Sequence, residues 1–343
     1  MSAQNYNPLK KWNYWLIFLA AACGLSWVSG LLSSYLLHVV ILILYFAFLG
    51  SAWNIVSGYA GQFSFGHTAF FGVGAYFSSL LYVESGVSPW IGMIAGGLLA
   101  AGLGAFIGYL TFRFKLKGAF FALSTFAFSE MLRIIALNWS VTGKAMGILI
   151  PLKQGSSLQD FQFASKLPYY YIILSMLILI LFVSYGLDHS RLGYYFKAIR
   201  EDEEAAGSLG VNILKYKTIA LVVSAFFTAL GGTFYAQYMF YIDPDIAFGT
   251  NVTIEMIVRT MLGGVGTAFG PLIGSAVLES ISEVMRSFLG EYKGVHIMFY
   301  AVLLILVMIF FPHGVMGLVK KKGKEDSRDI TKQHELVGNQ ESE

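Results

Sequence analysis

The chain has 343 residues, 56% of them hydrophobic and 13% charged, with a formal net charge of +3 and a mean hydropathy of +0.65. Soluble domains carry about 25% charged residues, so an ordinary soluble globule is excluded and the expected fold class is an all-α polytopic membrane protein. A single cysteine, Cys23, excludes an intramolecular disulfide, and without CxxC, HExxH or GxxxxGK[ST] no metal, nucleotide or enzymatic site is legible.

Residues 1–11 are predicted to be cytoplasmic. Lys10 and Lys11 precede a first apolar run over residues 12–32, which reads either as a retained span or as a signal peptide cleaved at Ala20-Ala21-Ala22. In both cases the chain emerges outside near Ser33 and Ser34. The second run, about residues 35–56, is long enough to cross roughly 30 Å of hydrocarbon and return inward.

Residues 58–83 are too rich in glycine for a plain lipid-facing helix, with Gly58, Gly61, Gly66, Gly72 and Gly74 inside the run and Gly86 just beyond. Small residues let helices approach closely, and glycine also permits a broken helix whose freed backbone groups line a cavity. Both uses put Gln62, Ser64, His67 and Thr68 inside the bundle. The His67 imidazole lies either on a transport path or in a hydrogen bond to a neighbouring helix. On Gly58, Gly61, Ser64, Gly66, His67, Gly74, Ala75 and Tyr76 the segment resembles LivM-type permeases, the inner-membrane subunits of branched-chain amino acid ABC importers.

Pro89 opens a span to about residue 112 that ends at Arg113, Lys115 and Lys117, a cytoplasmic turn by the positive-inside rule. In the next span Thr125 and Ser129 share one helical face, and Glu130 and Arg133 another. An intramembrane Glu within reach of an Arg either marks a functional site or locks two helices together. The resemblance continues through Phe121, Ala122, Leu123, Thr125, Ala127, Phe128, Glu130, Arg133, Asn138, Thr142 and Gly143. It departs at Lys144, where the family often has a second glycine. Residues 138–167 form an external loop, long enough to receive a binding protein. Residues 168–187 cross inward behind Tyr169, Tyr170 and Tyr171, an interfacial anchor.

Residues 188–217 form a charged island that cannot lie in hydrocarbon, where one charge costs about 2.5–3.5 kcal/mol. A short surface helix is expected over residues 201–209, with Ala198, Ile199, Ala205, Ala206 and Leu209 on one face, then a bend at Gly210. Glu204-Ala205-Ala206, three residues and Gly210 resemble the coupling-loop signature of ABC importer permeases. That resemblance implies that Arg200, Glu203, Glu204, Ala205, Ala206 and Gly210 meet a partner ATPase; the alternative is a loop charged only for topology.

Residues 216–241 run outward to Asp243-Pro244-Asp245. Residues 253–289 hold Glu255 and Arg259 four apart, a glycine cluster from Gly263 to Gly270, then Glu279, Glu283 and Arg286 in helical register. They read as two short pieces broken at 263–271 that dip in from outside and return, or as two ordinary helices joined by a cytoplasmic turn. The resemblance holds again at Gly263, Gly264, Val265, Gly266, Thr267, Gly270 and Pro271. A last span, residues 295–311, ends before Lys320, Lys321, Lys322 and Lys324, and residues 313–343 are expected to be a disordered cytoplasmic tail.

The resemblance implies an ABC importer permease with eight to ten transmembrane or half-membrane helices over residues 12–312, carrying leucine, isoleucine and valine. The chain would sit in a bacterial or archaeal plasma membrane with both termini cytoplasmic. No cofactor is expected in this chain, because ATP would be used by a partner. A second homologous permease, two ABC ATPase subunits and an extracytoplasmic solute-binding protein are the expected partners, with membrane lipid and the solute and no nucleic acid. Candidate path residues are Gln62, Ser64, His67, Thr125, Ser129, Glu130, Arg133, Glu255, Arg259, Gly263 and Gly264. A urea, amide or nucleoside permease of the same superfamily and a stand-alone secondary transporter are the alternatives.

Overall fold

The computed structural model describes residues 33–153 and 158–289; the expected spans at 12–32 and 295–311 and the tail lie outside the described residues. Helix α1, Ser34–Asn54, continues into a π-turn, Ile55–Tyr59. It is followed by α2, His67–Ser85, α3, Pro89–Arg113, and α4, Ala119–Asn138. After a long loop come α5, Leu167–His189, α6, Arg191–Glu201, α7, Glu203–Ser208, and α8, Ile213–Met239. A short α9, Pro244–Phe248, leads to α10, Thr250–Gly263, and α11, Gly270–Leu289. Among the described residues five helices are long and apolar enough to cross a membrane: α1 with its π-turn, α3, α4, α5 and α8.

Local chemistry sets most boundaries. The Ser33 side chain accepts from Leu36 N to cap α1, and Pro89 sits in the first turn of α3, where its missing N–H removes no helical bond. The charged island differs from the expected single helix over 201–209. Ser190 caps α6 by accepting from Gly193 N, so that helix begins ten residues earlier. Asp202 then breaks the run in an extended conformation and caps α7 through Glu204 N and Ala205 N at 2.9 and 3.0 Å. The break also splits the expected apolar face: Ile199 and Ala206 are buried, while Ala198, Ala205 and Leu209 point outward.

Packing inside the bundle relies on backbone approach. Helices gain no hydrophobic drive from meeting each other in lipid, so close van der Waals contact through small residues does the work. A Cβ on Gly74 would enter the Ala229 carbonyl, and one on Gly232 the Phe71 carbonyl; Thr233 Oγ1 also donates to Gly74 O at 3.0 Å. These contacts press α2 against α8, and α3 lies along both. Trp53, Phe48, Tyr170 and Phe234 fill the larger apolar core. Phe196 of α6 enters a second core with Phe112, Phe121 and Leu221, which seats the charged island on the bundle.

The bundle therefore has two ends. One carries α6, α7, Arg113, Lys117 and the α10–α11 turn. The other is closed by residues 139–153 and 158–166, where strands β1, Ile148–Leu149, and β2, Tyr241–Ile242, pair antiparallel with Ile148 opposite Ile242. Phe161 is fully buried against Trp90, whose Nε1 donates to Leu158 O at 2.7 Å. Lys153 donates to Asp160 at 2.6 Å, a bond that raises the ammonium pKa above its ordinary value.

Candidate functional site

On the charged island Glu203 turns toward the bundle, accepting from the buried Lys217 at 2.7 Å, with Lys117 at 3.7 Å. Glu204 stands at the rim, 3.5 Å from Lys117. Ala206 is buried, whereas Ala205, Ser208, Leu209 and Gly210 face outward, with Leu209 85% exposed. Gly210 has φ +85°, and no atom lies within 4 Å of where its Cβ would be. Glycine is needed there for the left-handed backbone and not for space. Arg200 points the other way, donating from Nη1 to Gly58 O at 2.9 Å.

Residues 60–66 are non-helical and fold back into the bundle. Ser57 Oγ donates to Gln62 O at 2.9 Å, Gln62 Nε2 to Ala60 O at 3.1 Å, and Trp53 Nε1 to Ser64 O at 2.9 Å. His67 opens α2 with no exposed surface. Its Nε2 lies 2.7 Å from Ser224 Oγ, whose only proton goes to Ala52 O at 2.6 Å. Nε2 is therefore the donor, and Nδ1, 3.0 Å from Ser64 Oγ, accepts. The imidazole is neutral and bridges α2 to α8; of the two expectations for His67, the geometry is that of a helix–helix hydrogen bond.

Helix α4 shows two faces. Inward, Thr125 Oγ1 accepts from Phe65 N at 3.1 Å and donates to Ala122 O at 2.9 Å, and buried Ser129 donates to Phe126 O at 2.7 Å. Outward, Leu123, Phe126, Met131 and Ile134 are exposed among the described residues. Only 22% of its apolar window is buried, against 72% for α8. Glu130 and Arg133 sit on this flank, with Arg133 Nε 3.1 and 3.0 Å from the two carboxylate oxygens and Nη1 2.6 Å from Asp245. Below them a cavity of about 710 Å³ opens between α4, α10 and the 60–66 loop, walled by Phe63, Phe65, Leu123, Phe126 and Ile254 with Thr250 at its edge.

Glu255 and Arg259 are paired as their spacing predicts, and Arg259 Nη2 also reaches Glu279 at 2.6 Å, binding α10 to α11. The guanidinium lies 3.6 Å from the centroid of the Phe46 ring on α1. Glu283 accepts from Tyr35 OH. Gly263 ends α10 with its backbone against Gly270, and Gly264 takes φ +125° to reverse the chain. The turn that follows meets Gly58 and Arg200 at the end of the bundle bearing α6. The segment thus runs from the α9 side to the α6 side and turns back; α10 has 14 residues and α11 20, and neither is among the five helices of span length and apolarity.

The expected path residues are not gathered around one open space. Gln62, Ser64, His67, Thr125 and Ser129 are buried and hydrogen-bonded, Arg259 is locked among carboxylates, and only Glu130 and Arg133 border the open flank. Sequence reasoning missed Asn54, which is 1% exposed and bonds the α10–α11 turn through both amide atoms. Its signal was a lone carboxamide in the apolar run at 35–56.

Residues 35–311 match the family described as branched-chain amino acid transport system / permease component. The high-affinity branched-chain amino acid transport system permease protein LivM of Escherichia coli K12 is 30% identical over 309 residues, 83% of this chain and 71% of that protein. The permease protein LivH of the same organism is 32% identical over 145 residues, 42% of this chain and 44% of LivH. A tyrosine transport system permease protein of Clostridioides difficile is 27% identical over 171 residues, 50% of this chain and 54% of the relative. No solved structure matches. A match that runs from the first turn of α1 past the end of α11, over a bundle of apolar helices, means that this chain belongs to the branched-chain amino acid transport system permease family.

Proposed function

We propose that the chain is one permease subunit of an ATP-driven importer of leucine, isoleucine and valine, and that the open face of α4 is its share of the path. The carrying observation is the Glu130–Arg133 pair on an otherwise apolar flank. Charged side chains in membrane helices face the bundle interior or a water-filled cavity, not lipid, so the flank carrying this pair is read as meeting protein or water. A second, similar permease closing over it would enclose the cavity walled by Phe63, Phe65, Leu123, Phe126 and Ile254. Those walls suit an aliphatic side chain.

The α6–α7 segment is the docking surface for the ATPase. Leu209 and Tyr194 project, 85% and 63% exposed, beside Glu204; Leu209 offers apolar area for burial, and Tyr194 is of a residue type enriched among interface anchors. Arg113, Lys115, Lys117, Arg191, Lys197 and Lys215 cluster at this end, which orients it to the cytoplasm. Two ATPase subunits use ATP there, since this chain has no legible nucleotide motif. Their closure moves the docked helices and shifts the bundle between inward- and outward-facing states. A solute-binding protein lands on the opposite end, where Met146, Leu149, Leu152 and Leu158 protrude. The setting is a bacterial or archaeal plasma membrane, with both chain ends cytoplasmic.

Mild detergent extraction followed by copurification tests the assembly. An ATPase, a sister permease and a binding protein holding leucine, isoleucine or valine are expected. Recovery of the chain alone, with ion-driven flux in liposomes, would overturn the proposal; a binding protein holding tyrosine, urea or a nucleoside would replace the solute.

A further inference from the structure

Three segments far apart in sequence meet at the end of the bundle that bears α6. Arg200, one residue before the end of α6, donates from Nη1 to the Gly58 carbonyl in the π-turn after α1, 142 residues away, at 2.9 Å. Its aliphatic stem lies on Gly61, where a Cβ would come 2.6 Å from Arg200 Cγ. Its Nη1 lies 2.7 Å from where a Cβ on Gly266 would be. Asn54 completes the junction: Nδ2 donates to Thr267 O at 2.9 Å and Oδ1 accepts from Gly266 N at 2.8 Å. A Cβ on Gly58 would come 2.7 Å from Gly266 N, and one on Gly61 3.2 Å from Arg200 Cα, so the three backbones are in contact and not merely adjacent.

A charge-assisted hydrogen bond is short and directional, and a carboxamide bonded at both its oxygen and its nitrogen cannot slide along its partner. The far side of the junction is stiff as well. Gly274 packs on the Arg259 carbonyl, Gly263 on that of Gly270, and Arg259 pairs with Glu279. Resting on the coupling role proposed above for α6 and α7, we infer that Arg200 and Asn54 form the joint that carries movement of the coupling helices into the α10–α11 hairpin. Arg200 is a positioning residue: it acts on the path through the hairpin, not by touching solute or ATPase. Its bond to Gly58, made although the side chain stays 40% exposed and its Nη2 lies 3.2 Å from Glu201, distinguishes it from Glu204, Ala205 and Leu209, which belong to the outer surface of the same segment.

The test uses the full complex in liposomes, with Arg200→Gln, Asn54→Leu and Arg200→Lys. The readouts are leucine taken up per ATP hydrolysed and the separation of spin labels at Ala198→Cys and Val265→Cys in a Cys23→Ser background. Uptake per ATP should fall at least tenfold in Arg200→Gln and Asn54→Leu and recover to within threefold of wild type in Arg200→Lys. With the joint intact, the label separation should be the same without nucleotide and with ATP trapped. Uptake per ATP within twofold of wild type in both disruptive variants would overturn the inference. So would a label separation that changes with nucleotide while the joint is intact, a measurement that stands even where a variant fails to assemble. A wild-type chain that brings down no ATPase overturns the coupling reading itself and this inference with it, an outcome distinct from an ATPase that binds and drives uptake regardless of the joint.

Discussion

Arg259 and Glu279 face each other across the α10–α11 hairpin, Nη2 to Oε2 at 2.6 Å, with side chains only 4% and 5% exposed. The same guanidinium holds Glu255, whose side chain is 31% exposed, so one cation is shared between a buried carboxylate and a part-exposed one. Removing the cation strips the buried Glu279 of its ion pair, a loss of about 3–5 kcal/mol for a buried pair. Arg259→Met should therefore lower the melting temperature of the detergent-solubilised chain sharply, and adding Glu279→Leu should restore part of it. A single variant that melts with wild type would mean that water reaches the cluster.

Leu209 projects from the tip of the charged island with 85% exposure. Leu209→Asp removes no internal contact, so the melting temperature should stay within the scatter of surface substitutions, about 0.5 kcal/mol. Loss of an interface anchor is worth about 2 kcal/mol or more, and ATPase recovered with the chain should fall more than tenfold. Equal recovery would place the docking surface elsewhere.

Gly210 separates two explanations of the bend that follows α7. Its φ of +85° disfavours branched side chains, yet its surroundings are empty. Asn tolerates the left-handed region and Val does not. Leucine uptake should survive Gly210→Asn and drop severalfold in Gly210→Val. Similar losses in both would point to a contact made by the glycine itself in the assembled complex.

Gly232 and Gly102 form a matched pair. A side chain at Gly232 would run into the Phe71 carbonyl, whereas nothing lies within 4 Å of Gly102. Gly232→Leu should force α2 and α8 apart, at about 1–3 kcal/mol or more for overpacking, and reduce the folded yield seen by size-exclusion chromatography. Gly102→Leu should leave that yield unchanged.

Orientation is read by chemistry on intact cells. In a Cys23→Ser background, a membrane-impermeant maleimide should label Leu152→Cys from outside and Leu209→Cys only in inverted vesicles. The reverse pattern would remove the charged island from the cytoplasm and the ATPase with it.

Much of the scaffold was legible because its signals are local. An apolar run of span length, closed by Pro89 at one end and Arg113 at the other, defines α3 with no knowledge of its neighbours, and the same holds for α4, α5 and α8. The Glu130–Arg133 and Glu255–Arg259 pairs were legible for the same reason, since three and four residues are one helical turn. The split of the charged island at Asp202 was missed because the helix formers on either side outweighed a single capping carboxylate. Among the candidate path residues, polarity alone did not separate those occupied by hydrogen bonds from those bordering open space.

By itself the sequence determined that this is a bundle of membrane-crossing helices, which end of it is basic, and where a polar segment interrupts the lipid-like chain, because each depends on a window of no more than about 25 residues. Only the tertiary structure decided that His67 belongs to Ser224, Arg200 to Gly58, Asn54 to Gly266 and Arg259 to Glu279. Those partners are set by which helices cross and at what height. Glycines permit such crossings at many places, and hydrogen-bond pairing in a dry interior selects one of them.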